Sequence, residues 1–460
     1  MKQFTRKNIV STLAQARIEA GISQQELARR IGTQKPNISR IENGQQNLSV
    51  DTIIKIAHAL NKDVSFDLTE RDENCYSLRL YDDELLTFSM EDAGLAGIKT
   101  KILSVNDSLL HLFPLDLEIS DEGILSWLRK RTIPKNRAFV DEILKTLGLS
   151  VNNLKGIIDV CKGLSLNDSY WIVPEGFEGK FSVYNLYENR FSSILSLVAY
   201  TGIGHSRPLD TTSPELTTHG MLRKAWRHIE GKGNQENQGG IYLYKGGTEG
   251  AANAGNEPYS EYYASQIAQR MGLHAVVYNL ENWKGILAST CKLFTDIDTS
   301  YIPTGRLVKS GGIPACLDFY QENIGSKAVE ELKSMLVFDA VIYNEDRHFG
   351  NFGVLRDNHS GKIISAAPIF DNGLSLFNYA MQDDIENLQE YALSRANPYG
   401  IPYETICREV MGKKQREQLK RLIGFKFTRH NSINLPEERL KPIENHIQWR
   451  VRELLDLPIK

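Results

Sequence analysis

The sequence predicts a multi-domain protein in which a small all-α helix-turn-helix domain precedes an α+β body. Three observations carry that expectation. Apolar residues recur at helical spacing, interrupted by glycine turns, through the first 68 positions. Short strand-like runs alternate with helices from about Gly202, and the last stretch of the chain reads as helical. A length of 460 residues exceeds what one small core serves. The expected boundaries are 1–68, 69–201 and 202–460, the last split into a smaller lobe (202–295) and a larger helical lobe (296–460).

In the front segment, Ile9, Leu13 and Ala16 mark a first helix. Ser23 with Glu26 three residues on reads as a capping box, and Leu27, Ala28 and Ile31 form the inner face of the helix it opens. Gly32-Thr33 ends that helix, Gln34 to Glu42 forms a third, and Asn43-Gly44 ends the third. A fourth, about Val50 to Leu60, brings Ile53, Ile54, Ile56, Ala57 and Leu60 to the core. Val64 to Leu68 alternates like a strand, and Glu70 to Glu73 reads as a linker. With Ile38 and Ile41 turned inward, Lys35, Asn37 and Arg40 face outward, where they can bond base edges or phosphates. Gln24 sits at the start of the bracing helix, where backbone N–H groups favour a phosphate.

Between Cys75 and Thr201 the signal is mixed. Ser77 to Phe88 reads as strands, Gly123 to Lys130 and Arg137 to Leu147 as helices, and Asn152 to Gly163 as an apolar, turn-rich piece. Leu128 to Arg137 holds five basic residues in ten. A solvated helix end is the ordinary reading, and a contact for nucleic acid, a phosphorylated group or an acidic partner is the alternative.

The body follows with a Gly/Asn/Gln-rich loop (Gly231 to Gly240), a strand at Ile241 to Tyr244, and a helix from Pro258 to Met271 stopped by Gly272. Strands are expected at His274 to Leu280 and Gly285 to Phe294, a long helix at Ser326 to Tyr343, and a hairpin from Phe352 to Leu355 and Lys362 to Ser365.

Composition narrows the function class. Hydrophobic residues make up 41% and charged residues 24%, as in globular proteins. No 18-residue apolar run is present, so no membrane partner is expected. Met1 to Val10 has basic residues but no apolar stretch behind them, unlike a secretory signal. The five cysteines form no C-x-x-C pair, so neither a zinc site nor a disulfide framework is expected, and a reducing cytoplasm fits. Positions 1–67 hold ten Lys/Arg against six Asp/Glu, a net of +4, which leaves −7 for the rest of a chain whose total is −3. Only the front end is therefore expected to seek a polyanion.

The densest chemistry lies at Asn344-Glu345-Asp346-Arg347-His348-Phe349-Gly350-Asn351 and at Ile369-Phe370-Asp371-Asn372-Gly373. Phosphoryl transfer to a hydroxyl needs a carboxylate to orient the nucleophile and oxygen ligands for a magnesium ion. Asp346 is placed as the base, with Asn351 and Asp371 as the metal ligands and His348 buttressing the loop. Lys245, at the end of the apolar strand, can reach nucleotide phosphates. Glu261 on the next helix can pair with it, with Glu257 as its rival.

Residues Thr5 to Asn61 resemble the Cro/C1-type repressor domain, most evidently in Ser23 to Ala28 and Ile38 to Gly44. That resemblance implies phosphate contact by Gln24, base contact by Lys35, Asn37 and Arg40, and binding as a dimer to a palindromic operator. From roughly Gly202 onward the Asn-x-Asp-Arg-His-x-x-Asn block and the later Asp371 resemble HipA-like serine/threonine kinases. The resemblance implies a protein-kinase-like, two-lobed fold, ATP with Mg2+ as cofactors, and a DNA-binding antitoxin, here fused in front (HipB-like). It also implies a protein acceptor or self-phosphorylation, in the cytoplasm of a bacterium and at its nucleoid.

Two departures stand out. No Gly-x-Gly-x-x-Gly loop precedes Lys245; Ser213 to Lys224 stands in its place as a segment to cover ATP, with Ser213, Thr217 and Thr218 as candidate autophosphorylation sites on a flexible loop. The N-terminal subdomain of such kinases is not recognisable in Cys75 to Thr201. The Asp-Arg-His-x-x-Asn block is shared with phosphoinositide kinases, so it defines the reaction better than the acceptor. The alternatives are a transcriptional regulator with a catalytically silent, nucleotide-sensing body and a kinase for a non-protein acceptor.

Overall fold

A computed structural model describes residues 6–46, 48–64, 74–92, 94, 97–204, 212–231, 239–251 and 253–458. The expected strand at Val64 to Leu68, the Glu70 to Glu73 linker and the loop from Gly231 to Gly240 lie wholly or largely outside them. The chain divides into two compact units, Met1–Asp72 and Glu73–Lys460.

The first unit consists of α1 (Arg6–Glu19), α2 (Gln24–Ile31), α3 (Lys35–Glu42) and α4 (Val50–Ala59). Their apolar stripes meet in one core of Leu13, Leu27, Ala28, Ile38, Ile41, Ile53, Ile56 and Leu60. The Ser23 hydroxyl accepts the Glu26 N–H at 3.1 Å and starts α2. The reciprocal half of the expected capping box is replaced, because the Glu26 carboxylate accepts from Arg29 and Arg30 instead. Gly32, at φ 74°, ends the helix in the left-handed conformation that a glycine adopts without a Cβ clash.

The second unit begins with a sheet of β1 (Cys75–Leu80), β2 (Asp83–Asp92), β3 (Ile98–Val105) and β4 (Tyr170–Pro174) in the antiparallel order β3-β2-β1-β4. Between and after these strands come α5 (Asp121–Arg129), α6 (Val140–Lys145), α7 (Leu154–Cys161), α8 (Phe181–Tyr184) and α9 (Ser193–Thr201). Tyr76, Leu78, Leu86 and Phe88 of the sheet bury against Trp127, Leu128, Ile143, Ile158 and Val198 of the helices. The piece expected to be turn-rich forms α7, because the Asn153 side chain accepts the Gly156 N–H at 2.8 Å and caps a helix there. The basic stretch is not a solvated helix end throughout. Arg131 is buried and forms two 2.8 Å bonds to Asp168, and Arg137 is buried against Glu215.

A second antiparallel sheet follows, built from β5 (Lys224–Ile229), β6 (Gly240–Gly246), β7 (Tyr278–Trp283) and β8 (Ile286–Lys292) in the order β5-β6-β8-β7. Helix α10 (Glu257–Met271) connects β6 to β7. Strand β7 starts later than expected, since His274 to Val276 bonds to Ile369 instead: Val276 donates to the Ile369 carbonyl and Ile369 to the His274 carbonyl, both at 2.9 Å.

The remainder holds β9 (Thr299–Pro303), α11 (Thr304–Leu307), α12 (Gly312–Asn323), α13 (Ser326–Ile342), β10 (Gly353–Asp357) and β11 (Ile363–Ala366). Helices α14 (Gln382–Glu386), α15 (Leu388–Leu393), α16 (Tyr403–Val410), α17 (Lys413–Lys420) and α18 (Glu437–Leu455) complete it. The largest core surrounds α13, where Val337, Phe338, Ala340 and Ile342 meet Ile267 of α10 and Leu440, Ile447 and Val451 of α18. The molecule is thus a helix-turn-helix region followed by a mixed α/β body with antiparallel sheets. No described helix is long and apolar enough to cross a membrane.

Candidate active site and nucleic-acid interface

The body gathers four charged residues from distant parts of the chain. Lys245 ends β6, and Glu261 lies one helical turn into α10; Lys245 Nζ donates to Glu261 Oε1 at 3.0 Å, with both side chains buried. The same ammonium donates to Asp371, which stands beyond the β10–β11 hairpin. Asp371 holds φ 57°, a left-handed conformation that costs most side chains free energy and that aspartate tolerates better than most. Two bonds hold the turn: the Asp371 N–H donates to the Tyr278 hydroxyl at 3.2 Å, and the Asn372 N–H to Glu261 Oε2 at 2.8 Å. Glu257, the rival of Glu261, does other work. It accepts from the Thr248 hydroxyl at 2.7 Å and the Tyr379 hydroxyl at 2.9 Å, closing the loop between β6 and α10.

The loop from Asn344 to Phe352 brings Asp346 and Asn351 together. Asn351 Nδ2 donates to the Asp346 carbonyl at 2.8 Å and to its carboxylate at 3.3 Å. His348 is exposed; its Nδ1 accepts the Gly350 N–H at 3.0 Å, and its Nε2 lies 3.9 Å from the Asp346 carboxylate. It braces the loop from the solvent side.

Arg347 holds this loop and the Asp371 turn in fixed relation. Fully buried, it bonds Asp339 of α13 through Nε and a terminal nitrogen at 3.0–3.2 Å. It also donates to the Asn351 carbonyl at 3.0 Å and to the Phe370 carbonyl and Asn372 side chain. Asn344 completes the cluster, donating to Asp339 at 3.1 Å and accepting the Asp346 N–H at 3.0 Å. The sequence contains both Asp339 and Arg347, but their pairing depends on a helix end that only the fold aligns.

Electrostatics separates the two aspartates. Burial pushes the Asp371 carboxyl up, but Lys245 overrides burial and holds it at about 2, so it is ionised. Burial, and then the charge of Asp371, raise the Asp346 carboxyl above the ordinary aspartate value. Lys224, the register partner of Lys245 in the neighbouring strand, was not singled out in the sequence. Burial and then the charge of Lys245 lower its ammonium to about 7.

Asn351 and Asp371 carry oxygen atoms of the kind that could hold a magnesium ion, and Asp371 is ionised, as such a ligand must be. Among the described residues, no group of three or more His, Cys, Asp or Glu side chains is placed to hold a metal ion.

Ser213, Thr217 and Thr218 do not stand on an open, flexible loop as expected. Ser213 and Thr217 are buried in a 3-10 turn, Pro214–Leu216, and its flanks. Thr217 Oγ1 donates to the Leu164 carbonyl at 2.8 Å; the half-buried Thr218 donates to the Pro214 carbonyl at 2.6 Å and accepts from Trp226 Nε1 at 3.0 Å. Carbonyl partners and apolar neighbours fold this stretch down.

In the first unit, Lys35 and Arg40 are exposed on α3. Asn37 is half-buried and donates back to the Thr33 hydroxyl at 2.9 Å, so it faces outward less than helical spacing alone implied. Gln24 Nε2 donates to Glu42 at 2.7 Å, and Glu42 also pairs with Arg17 at 2.6 Å.

The helix-turn-helix family matches residues 13–66. Over 176 residues the chain is 29% identical to the serine/threonine-protein kinase CtkA of Helicobacter pylori, a match covering 35% of this chain and 53% of that protein. The chain therefore spans about half the length of this relative. Among solved structures, the Helicobacter pylori proinflammatory kinase CtkA aligns with a TM-score of 0.41 at 20% identity, covering 52% of this chain and 91% of that one. The HipA–HipB toxin–antitoxin complex of Shewanella oneidensis with its operator DNA aligns with a TM-score of 0.47 at 10% identity, covering 84% and 100%. The chain carries a helix-turn-helix domain at its front and is similar, over 176 residues, to a serine/threonine-protein kinase.

Proposed function

We propose that this protein is a DNA-binding serine/threonine protein kinase that uses ATP and Mg2+, resembling a HipA-like toxin fused to its HipB-like antitoxin. One observation carries the catalytic reading: Lys245 joins Glu261 and Asp371 while Arg347 holds the Asp346–Asn351 loop against the Asp371 turn. Asn351 and Asp371 would hold a magnesium ion, which would supply positive charge against the phosphates being transferred. Lys245, oriented by Glu261, places a fixed positive charge where those phosphates bind. Asp346, its carboxyl raised by burial, accepts the proton of the acceptor hydroxyl as that hydroxyl attacks.

The first unit binds a palindromic operator as a dimer, with Lys35, Asn37 and Arg40 toward the bases and Gln24 toward a phosphate. It restrains the expression of its own gene and keeps the protein at the nucleoid of the bacterial cytoplasm. The acceptor is another protein or the chain itself, and Thr218 is the proposed self-acceptor because it alone of the three hydroxyl residues is half-exposed.

The test is transfer of label from γ-labelled ATP to protein, followed by mapping of the labelled residues. Transfer is expected from the wild type and lost in Asp346→Asn and Asp371→Asn. Label transfer that persists in either variant defeats the assignment.

A further inference from the structure

The region between the first unit and β5 carries no catalytic group, yet it grips one segment of the catalytic half at many points. Residues 213–224 run from the 3-10 turn into β5 and end at Lys224, the neighbour of Lys245. Leu216 is buried in the core that the first sheet forms with α5, α6, α7 and α9. Arg137 reaches into the segment with both terminal nitrogens. One donates to the Glu215 and Thr218 carbonyls at 2.9 and 3.0 Å, and the other to the Glu215 carboxylate at 2.8 Å and the Lys224 carbonyl at 2.9 Å.

The surroundings repeat the pattern. Ala138 N–H donates to the Met221 carbonyl at 2.8 Å, and the Leu164 carbonyl accepts the Thr217 hydroxyl at 2.8 Å. His219 Nε2 lies 2.7 Å from the Lys130 carbonyl, and the Phe139 ring lies 5.1 Å from the Arg223 guanidinium. Gly220, at φ 93°, lets the segment fold back so that Lys224 Nζ donates to the His219 carbonyl at 2.7 Å. The Arg137–Glu215 pair at the centre is wholly buried. A charge sealed from water is costly unless it is paired and hydrogen-bonded, and here the four bonds of the two terminal nitrogens all converge on one segment, while Arg137 Nε has no partner.

We propose that the 75–201 region is a clamp that fixes the 213–224 segment over the bound nucleotide, with Arg137 as the positioning residue that sets Lys224 beside Lys245. The ligand class is a nucleoside triphosphate, held through its phosphates by the two lysines. This inference rests on the kinase reading above. It gives a role to the basic stretch of the sequence: two of its five cations are structural, and one of those acts on the nucleotide through the segment it holds.

The test uses the full chain with Arg137→Lys, which keeps a charge opposite Glu215 but cannot serve four acceptors, and Glu215→Gln, which keeps the shape but not the charge. Three quantities are read: kcat, KM for ATP, and hydrogen exchange of residues 213–224. In both variants exchange across 213–224 is expected to rise and KM for ATP to increase about three- to tenfold, as for one or two lost hydrogen bonds, with kcat nearly unchanged. A merely structural role would lower the melting temperature and leave KM in place.

The inference is overturned if KM stays constant while segment exchange rises, if only kcat falls, or if exchange is unchanged in a folded variant. Should Arg137→Lys not fold, Glu215→Gln carries the same readouts. A wild type that neither binds nor turns over ATP defeats the kinase reading alone, and segment exchange then still reports whether Arg137 holds 213–224.

Discussion

The first unit and the body place their candidate functional side chains in opposite ways. In the first unit Lys35 and Arg40 stand on the surface of one short helix, and the fold below them serves only to present that helix. In the body, Lys245, Glu261, Asp346 and Asp371 come from positions up to 126 residues apart; Lys245 and Glu261 are buried, and the Asp371 and Asp346 side chains keep 32% and 41% of their exposure. A surface array tolerates loss of a member as a graded loss of affinity. A half-buried array of coupled charges does not, because its buried members rely on one another in place of water. The comparison implies that substitutions in the body act in large steps and those in the first unit in small ones.

The steepest step is expected at Asp346. Asp346→Asn removes the proton acceptor and should lower turnover on the order of 10²–10⁴-fold, while operator affinity is unchanged. Operator affinity that falls in parallel would show that the two units do not act separately. Because burial and Asp371 raise the Asp346 carboxyl, its charged, working form is lost at a higher pH than for an ordinary aspartate. The acidic limb of the kcat/KM profile should accordingly lie at higher pH than an ordinary aspartate would give, with activity lost as pH drops through the raised value.

Arg347→Met is expected to cost the body about 3–5 kcal/mol, since Asp339 is left buried without its cation. Thermal or urea unfolding of the body measures it. The double variant Arg347→Met/Asp339→Leu should regain most of that stability and little of the activity, because Arg347 also holds the Asn351 and Phe370 carbonyls. Full recovery of activity would show that Arg347 only stabilises.

In the first unit, Arg40→Ala should cost about 1–3 kcal/mol of discrimination between operator and random DNA, read by binding titrations on both. Gln24→Ala should weaken both affinities alike. Asn37→Ala is expected to have the smaller effect on discrimination, because that amide is already engaged with Thr33.

The same contrast explains what the sequence disclosed. The first unit is built from local signals: Ser23 caps α2, Gly32 ends it, and helical spacing selects Leu27, Ile38 and Ile41 for the core. The strand Ile241 to Tyr244, the helix ending at Gly272 and the 326–342 helix were legible for the same reason. Asp346, Asn351 and Asp371 were legible as residues because the turn chemistry around them is dense.

What the sequence hid was long-range. Arg137 lies 78 residues from Glu215, so a run of basic residues looked like solvated surface. Strands β3, β4 and β5 gave no separate signal, since their partners, not their own periodicity, define them. Ser213, Thr217 and Thr218 read as an open loop because nothing local shows that Leu164 and Trp226 will cover them.

The smallest expected effect is also the one that reports most directly on the buried array. Burial and the adjacent Lys245 depress the Lys224 ammonium from its usual 10.5 to about 7, so near neutrality this group is only partly charged. Phosphate oxygens placed beside it would raise that value, because an opposite charge favours the protonated form. Nucleotide binding should therefore take up a fraction of a proton near pH 7, and affinity should fall as pH rises through the unliganded value. Calorimetric titrations of Asp346→Asn with ATP and Mg2+ in two buffers of different ionisation enthalpy measure the uptake. It should vanish in the additional variant Lys224→Met. Uptake that persists without Lys224 assigns the proton to another group, and Lys224 would then be a strand residue whose charge the site does not use.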